Sequence, residues 1–230
     1  MSESTATITN RVACEPRRNM QIKTRQRVRD LAEVYTHTRE ITAMLDMIPD
    51  MFPSEDEPNN TDHKFFEPSA GSGNFLEEIL RRKISFITHE RYRSSLQYEH
   101  RLLRAVASIY AVDIDSDNVA ESKDRMRHLL QSHLDNDLNT KVPTSGFASA
   151  VDAILHTNVV QADTLADLNS LEWIDYRASR NGTFIREWST AGEDAQRDLF
   201  YVPKLDRVAL HYSMLADNPE PVTVPRKARV

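Results

Sequence analysis

Five glycines in 230 residues leave this chain few places where its backbone can turn sharply or be approached closely. Average usage would supply about 16. Two of the five, Gly71 and Gly73, stand one residue apart in Glu67-Pro68-Ser69-Ala70-Gly71-Ser72-Gly73-Asn74-Phe75. That loop follows the short apolar run Lys64-Phe65-Phe66. It precedes Phe75, Leu76, Ile79, Leu80 and Ile84, which fall on one face of a helix. A strand, a glycine turn and a helix open a βαβ unit. The helix start offers unpaired N–H groups and a positive dipole end, suited to a carboxylate or phosphate.

Two further strands follow in the expected rhythm. Residues 108–113 carry β-branched and aromatic side chains and end on Asp113, and residues 157–163 form a third strand that again ends on an acid, Asp163. Between them Asp115 or Ser116 can cap a helix whose apolar stripe is Val119, Met126, Leu129 and Leu130. Alternation of this kind predicts an α/β domain with a parallel sheet. Right-handed crossovers then bring the Gly loop, Asp113 and Asp163 to one edge, where ligands of such sheets bind. Elsewhere residues 1–20 read as a flexible lead-in. Residues 21–48 read as mostly helical, with Ile41, Met44, Leu45 and Ile48 on one face, and 49–63 as a loop. Helix is expected from Phe75 onward to about Ala107, and a connection over 135–150. Residues 171–176 and 208–212 are candidate strands, and 213–230 are expected to form a disordered, unpacked tail. The domain thus spans 21–212.

Composition excludes several classes. Cys14 is alone, so an internal disulfide and a cysteine zinc site are ruled out. The eight histidines include no pair with metalloprotease spacing and a Glu, and no metal is expected. No apolar run approaches a membrane span and the N-terminus lacks a signal core, so a soluble, cytoplasmic protein with no membrane partner is expected. A net charge of −6 argues against a general affinity for nucleic acid. Residues 11–30 nevertheless gather Arg11, Arg17, Arg18, Lys23, Arg25, Arg27 and Arg29 against Glu15 and Asp30. Two nucleotide readings of the loop fail. A P-loop needs Gly-Lys-Ser/Thr where Asn74-Phe75 follows Gly73, and the nicotinamide fingerprint needs a third glycine where Leu76 stands.

The loop with its helix, FFEPSAGSGNFLEEIL, resembles the cofactor loop of the S-adenosylmethionine-dependent adenine-N6 DNA methyltransferases, most closely the modification subunits of restriction systems. Ile109-Tyr110-Ala111-Val112-Asp113-Ile114-Asp115 resembles their second-strand motif, and Val159-Val160-Gln161-Ala162-Asp163-Thr164-Leu165 their third. Residues 33–41 (EVYTHTREI) are similar to the segment that closes over the methionine end, with His37 in place of the usual proline. The resemblance covers roughly residues 25–165. It implies a Rossmann-like class I methyltransferase fold, mostly parallel with helices on both faces. Residues 62–165 would form the cofactor core, and the sheet could stop after its third or fourth strand. It further implies that Asp113 accepts the ribose hydroxyls and Asp163 the adenine amino group of S-adenosylmethionine. Tyr35, Thr36, Glu67, Pro68, Gly71, Gly73, Asn74, Phe75, Ile114 and Thr164 would complete the cofactor site.

The family's Asn/Asp-Pro-Pro-aromatic motif, which grips a flipped adenine, is not found in residues 165–230. Asp175-Tyr176 retains an acceptor and a stacking ring without prolines, and these two are the catalytic candidates. Three readings follow. The chain is a DNA adenine methyltransferase or a modification subunit, with DNA and a specificity, restriction or second methyltransferase subunit as partners. Alternatively it is an inactive cofactor-binding regulatory or scaffold subunit, or a methyltransferase acting on RNA, protein or a small molecule.

Overall fold

Three short strands carry the edge at which the Gly71 loop, Asp113 and Asp163 stand. In the computed structural model, which describes residues 36–137, 143–190 and 203–223, β1 (Phe65–Glu67), β2 (Ile109–Asp113) and β3 (Val159–Gln161) form a parallel sheet in the order β1-β2-β3. Glu67 lies opposite Ala111, and Asp113 opposite Gln161. Every residue of β2 is buried. Successive side chains of a strand point to opposite faces, so both faces of the sheet are covered. The molecule is α/β, with a three-stranded parallel sheet and helices compatible with a Rossmann-like arrangement.

Helix α1 (Thr38–Leu45) starts on a capping box in which the His37 N–H donates to Glu40 Oε2 at 2.9 Å, with Ile41 and Leu45 turned inward. Helix α2 (Asn74–Ile84) buries Leu76, Ile79, Leu80, Lys83 and Ile84, a spacing that keeps one face against the core. The helical run does not continue to Ala107 unbroken. It stops at Ile84 and resumes as α3 (Ser95–Ala107) after Ser94, an N-cap in extended conformation. Helix α4 (Ser116–Asn136) is capped by Asp115, whose side chain accepts the Asp117 N–H, and buries Val119, Ser122, Met126, Leu130 and Leu134. Helix α5 (Phe147–Asn158) occupies ground expected to be connection and strand, and it leads directly into β3. The four-residue α6 (Thr164–Asp167) follows β3. Residues 1–35, which hold the lead-in, most of the first expected helix and Tyr35, lie outside the described residues.

Beyond α6 the chain forms a second, antiparallel sheet of β4 (Glu172–Ala178), β5 (Thr183–Thr190), β6 (Lys204–Leu205) and β7 (Leu210–His211), with β5 pairing all the others. Among the described residues none of its strands joins the parallel sheet. Asn181 and Gly182, at φ of 55° and 73°, are the central residues of the β4–β5 turn, as an Asn-Gly hairpin requires. The hairpin lies across one face of the parallel sheet. Phe66 and Tyr110 are paired in register, both meet Trp173 edge-on, and the Tyr110 hydroxyl donates to Ile174 O at 3.2 Å.

Residues 213–223 are not an unpacked tail. Leu215 is 2% exposed, Val222 packs against the core, and the carbonyls of Asn218 and Glu220 accept hydrogen bonds from Arg186. The three prolines of the last 15 residues suggest exposure, but two of them stand beside residues that the Arg186 guanidinium holds down.

Candidate functional site

The ends of β1, β2 and β3 are fastened to one another by their own backbone. Ala70 N–H donates to Val112 O at 2.9 Å and Ala162 N–H to Asp113 O at 3.0 Å, so the turns after β1 and β3 each lean on β2. Thr164 Oγ1 donates to Pro68 O at 2.5 Å and joins the outer two directly. Gly71, Asp113 and Asp163 therefore stand along one edge, as the alternating order predicts.

Asp113 organises this edge. It is 6% exposed, and its Oδ2 accepts the Gly71 N–H at 2.7 Å across 42 positions of sequence. Its Oδ1 accepts the Asp115 N–H at 2.9 Å and the Asn118 amide at 3.2 Å. A carboxylate offers about four acceptor sites, so Oδ2 keeps one lone pair for a further donor. Glu67, one strand away, accepts the Ser69 N–H at 3.1 Å. Burial lifts its carboxyl above the usual carboxylate range against that hydrogen bond, and the Asp113 charge adds to the rise. Asp163 caps α6, with Oδ1 taking the N–H groups of Leu165 at 2.9 Å and Ala166 at 3.3 Å. Its Oδ2 carries no hydrogen bond among the described residues. Ile114, 53% exposed, and Leu165 stand out beside the two acids as apolar surface.

The two loop glycines differ in what surrounds them. Gly73, at φ +87°, lies against α4, and a Cβ there would come within 2.8 Å of Ser122 Oγ and 2.9 Å of its Cα. Gly71, at φ +53°, would turn a Cβ into open space. The first glycine is demanded by packing. The second leaves open space on its Cα side at the sheet edge, although its N–H and carbonyl are both hydrogen-bonded. Asn74 and Phe75 are each held by other contacts. Asn74 Oδ1 accepts from Arg125 Nη1 at 2.6 Å, and Phe75 is partly buried against the core.

Arg125 and Ser122 are the participants that sequence reasoning missed. Arg125 of α4 reaches Glu77 Oε2 through Nε at 2.9 Å and Nη2 at 2.6 Å, and Ser72 O through Nη1 at 3.3 Å. Ser122 Oγ donates to Gly71 O at 3.0 Å. The available signal was a small polar Ser122 lying within the stripe of Val119 and Met126, with Arg125 three residues on.

Asp175 and Tyr176 are not brought to this edge. Asp175 pairs with Lys64, just ahead of β1, at 2.9 Å, and the Tyr176 hydroxyl shares a 2.9 Å hydrogen bond with Thr157, ahead of β3. Both therefore lie at the opposite ends of the strands. Thr36, the N-terminal described residue, is half-buried immediately ahead of the α1 cap. Among the described residues no helix is long and apolar enough to cross a membrane. Comparison with family models, with curated proteins and with solved structures gives no match.

Proposed function

We propose that this chain binds S-adenosylmethionine at the edge formed by the Gly71 loop, Asp113 and Asp163, and serves a DNA adenine-N6 methyltransferase, as the enzyme itself or as the modification subunit of a restriction-type system. The observation that carries the reading is Gly71, a glycine with a left-handed φ and open space at its Cβ position, hydrogen-bonded through its N–H to the acid at the end of the neighbouring strand. The loop backbone would lie under the methionine portion of the cofactor. The ribose diol would donate to Asp113 Oδ2, and the adenine amine to the open Oδ2 of Asp163. Ile114 would lie against the adenine ring. Glu67 and Asp113 place negative charge near the sulfonium and ammonium groups, which favours a cationic ligand.

A second reading is favoured by a specific observation. Strand β4 joins an antiparallel sheet, and Asp175 and Tyr176 face Lys64 and Thr157 at the far ends of the parallel strands. A cofactor-binding regulatory or scaffold subunit, with the adenine-gripping residues on another chain, accommodates that placement.

Calorimetric titration with S-adenosylmethionine tests the binding common to both. Asp113→Asn keeps an acceptor for the loop but removes charge and one acceptor oxygen. It should weaken binding by about 1.5–3 kcal/mol, tenfold or more. No binding by folded wild-type chain, or equal binding by the variant, would sink the proposal. Methyl transfer to DNA by the chain alone would then separate the first reading from the second.

A further inference from the structure

Helices α4 and α5, the second sheet and residues 215–219 line an open cleft of about 540 Å³, with Ser149, Asp152 and His156 on its exposed rim, that the cofactor reading does not use. Ligand sites commonly run from about 300 to 1,000 Å³, so it has room for a small organic molecule. Its apolar side includes Ile174, Leu215 and Pro219. Two of its polar side chains, Thr157 and Tyr176, satisfy each other. Arg186 is fully engaged as well, by Asp206 and by the carbonyls of Asn218 and Glu220.

The remaining polar groups are different. Lys123 and Arg127 lie one turn apart on α4, where two like charges repel. Arg127 spends Nε on Asp152 and Nη1 on Asp124, at 2.6 and 2.7 Å, and keeps Nη2. The Lys123 ammonium makes no hydrogen bond or ion pair among the described residues, and neither do the side chains of Ser149 and His156 from α5. Burial, with the Arg127 charge adding, pushes the Lys123 amine below its ordinary value. Lysine, arginine, serine and histidine are all able to donate, and among the described residues the only carboxylate lining the cavity, Asp152, is already paired with Arg127.

We infer that this cavity binds a small phosphorylated ligand, with the phosphoryl group held by Lys123 and Arg127, further donors from Ser149 and His156, and the organic body against Ile174, Leu215 and Pro219. A phosphoryl group matches this set better than a carboxylate because it presents three oxygens and up to two charges to donors arriving from two helices. Thr157 precedes β3, so the cavity lies at the opposite end of that strand from Asp163. The inference is therefore independent of the proposed cofactor site.

Inorganic pyrophosphate, titrated into the full chain at constant ionic strength and followed by calorimetry and phosphorus NMR, provides the probe. Saturable binding is expected. It should weaken about tenfold in Lys123→Ala, which loses a charge-assisted hydrogen bond, and be largely retained in Lys123→Arg. Asp113→Asn should leave it unchanged, which separates this site from the sheet edge. Thermal melting of each variant checks that the fold persists. Absence of saturable binding at millimolar pyrophosphate would overturn the inference, as would equal affinity in Lys123→Ala. It would also fall if short duplex DNA bound in a Lys123-dependent way while pyrophosphate did not, since the surface would then be following a nucleic-acid backbone.

Discussion

Two glycines separated by one residue perform separable tasks, and substitution distinguishes them. At Gly71 a methyl group meets nothing, so Gly71→Ala should cost only the strain of a left-handed backbone, about 1–2 kcal/mol. At Gly73 the same methyl would meet the Cα of Ser122 at 2.9 Å, a backbone atom that can move only if α4 moves. Overpacking then adds about 1–3 kcal/mol to comparable strain, so Gly73→Ala should be the more destabilising by that margin. Urea unfolding of the two variants measures the difference. Equal losses would mean that the loop and α4 are not packed as described. The proposed ligand reverses the order of interest: Gly71→Ala, though better folded, should lose affinity for S-adenosylmethionine because its methyl occupies the open approach.

At the scale of elements, legibility followed how local each signal is. β1, β2, β3 and the stripes of α2 and α4 carry their pattern within a few residues, and the three strand ends converge as their order implies. α5 was harder to see because its buried set of Phe147, Ala150, Val151, Ile154 and Leu155 runs on into the apolar Val159-Val160. Helix and strand periodicities blur at such a junction. The β4–β5 hairpin carried a usable mark in Asn181-Gly182, but its antiparallel pairing interrupts an alternating α/β pattern and could not be read from the strands before it. The order of residues 213–223 was illegible for another reason. It depends on Arg186, about thirty positions upstream, whose side chain is 2% exposed and paired with a fully buried Asp206 at 2.8 Å. Asp206 also accepts the Val222 N–H at 2.8 Å, so one ion pair fastens β5, β6 and the C-terminal segment together. Arg186→Met should therefore leave a buried carboxylate uncompensated and cost about 3–5 kcal/mol. Both tryptophans, Trp173 and Trp188, belong to this sheet, so their fluorescence in urea reports the loss directly. A midpoint shift within error of wild type would show that the clasp contributes nothing to this half of the molecule.

Across the whole molecule, two buried basic groups set the direction in which stability changes with pH. Lys83 is 0% exposed and donates to Thr61 O at 2.9 Å and His63 O at 2.6 Å, fastening α2 to the segment that enters β1. Burial pushes its amine down from 10.5 to about 7, against the attraction of Asp62. His100, packed edge-on against Phe184, is pushed from 6.5 down to about 4 by burial and, next, by the charge of Arg104. In both cases the folded value lies below the unfolded one, so the unfolded chain binds more protons over the interval between them. Unfolding free energy must then rise with pH across each interval. For His100 the contribution is complete above 6.5 and is lost as pH falls toward about 4. For Lys83 it is complete above 10.5, is lost progressively down to about 7, and is absent below that. Most globular proteins are most stable between about pH 5 and 8. This chain should instead continue to gain stability from neutral pH toward pH 10, until other groups titrate. Lys83→Met removes the titrating amine along with two hydrogen bonds, so its absolute stability is ambiguous while its slope is not. Urea midpoints measured from pH 4 to 10 should climb through the alkaline half in wild type and flatten there in Lys83→Met, with the acid half unaltered. An unchanged alkaline slope in the variant would mean that the Lys83 amine stays charged in the folded core, and that the carbonyls of Thr61 and His63 stabilise it more than burial disfavours it.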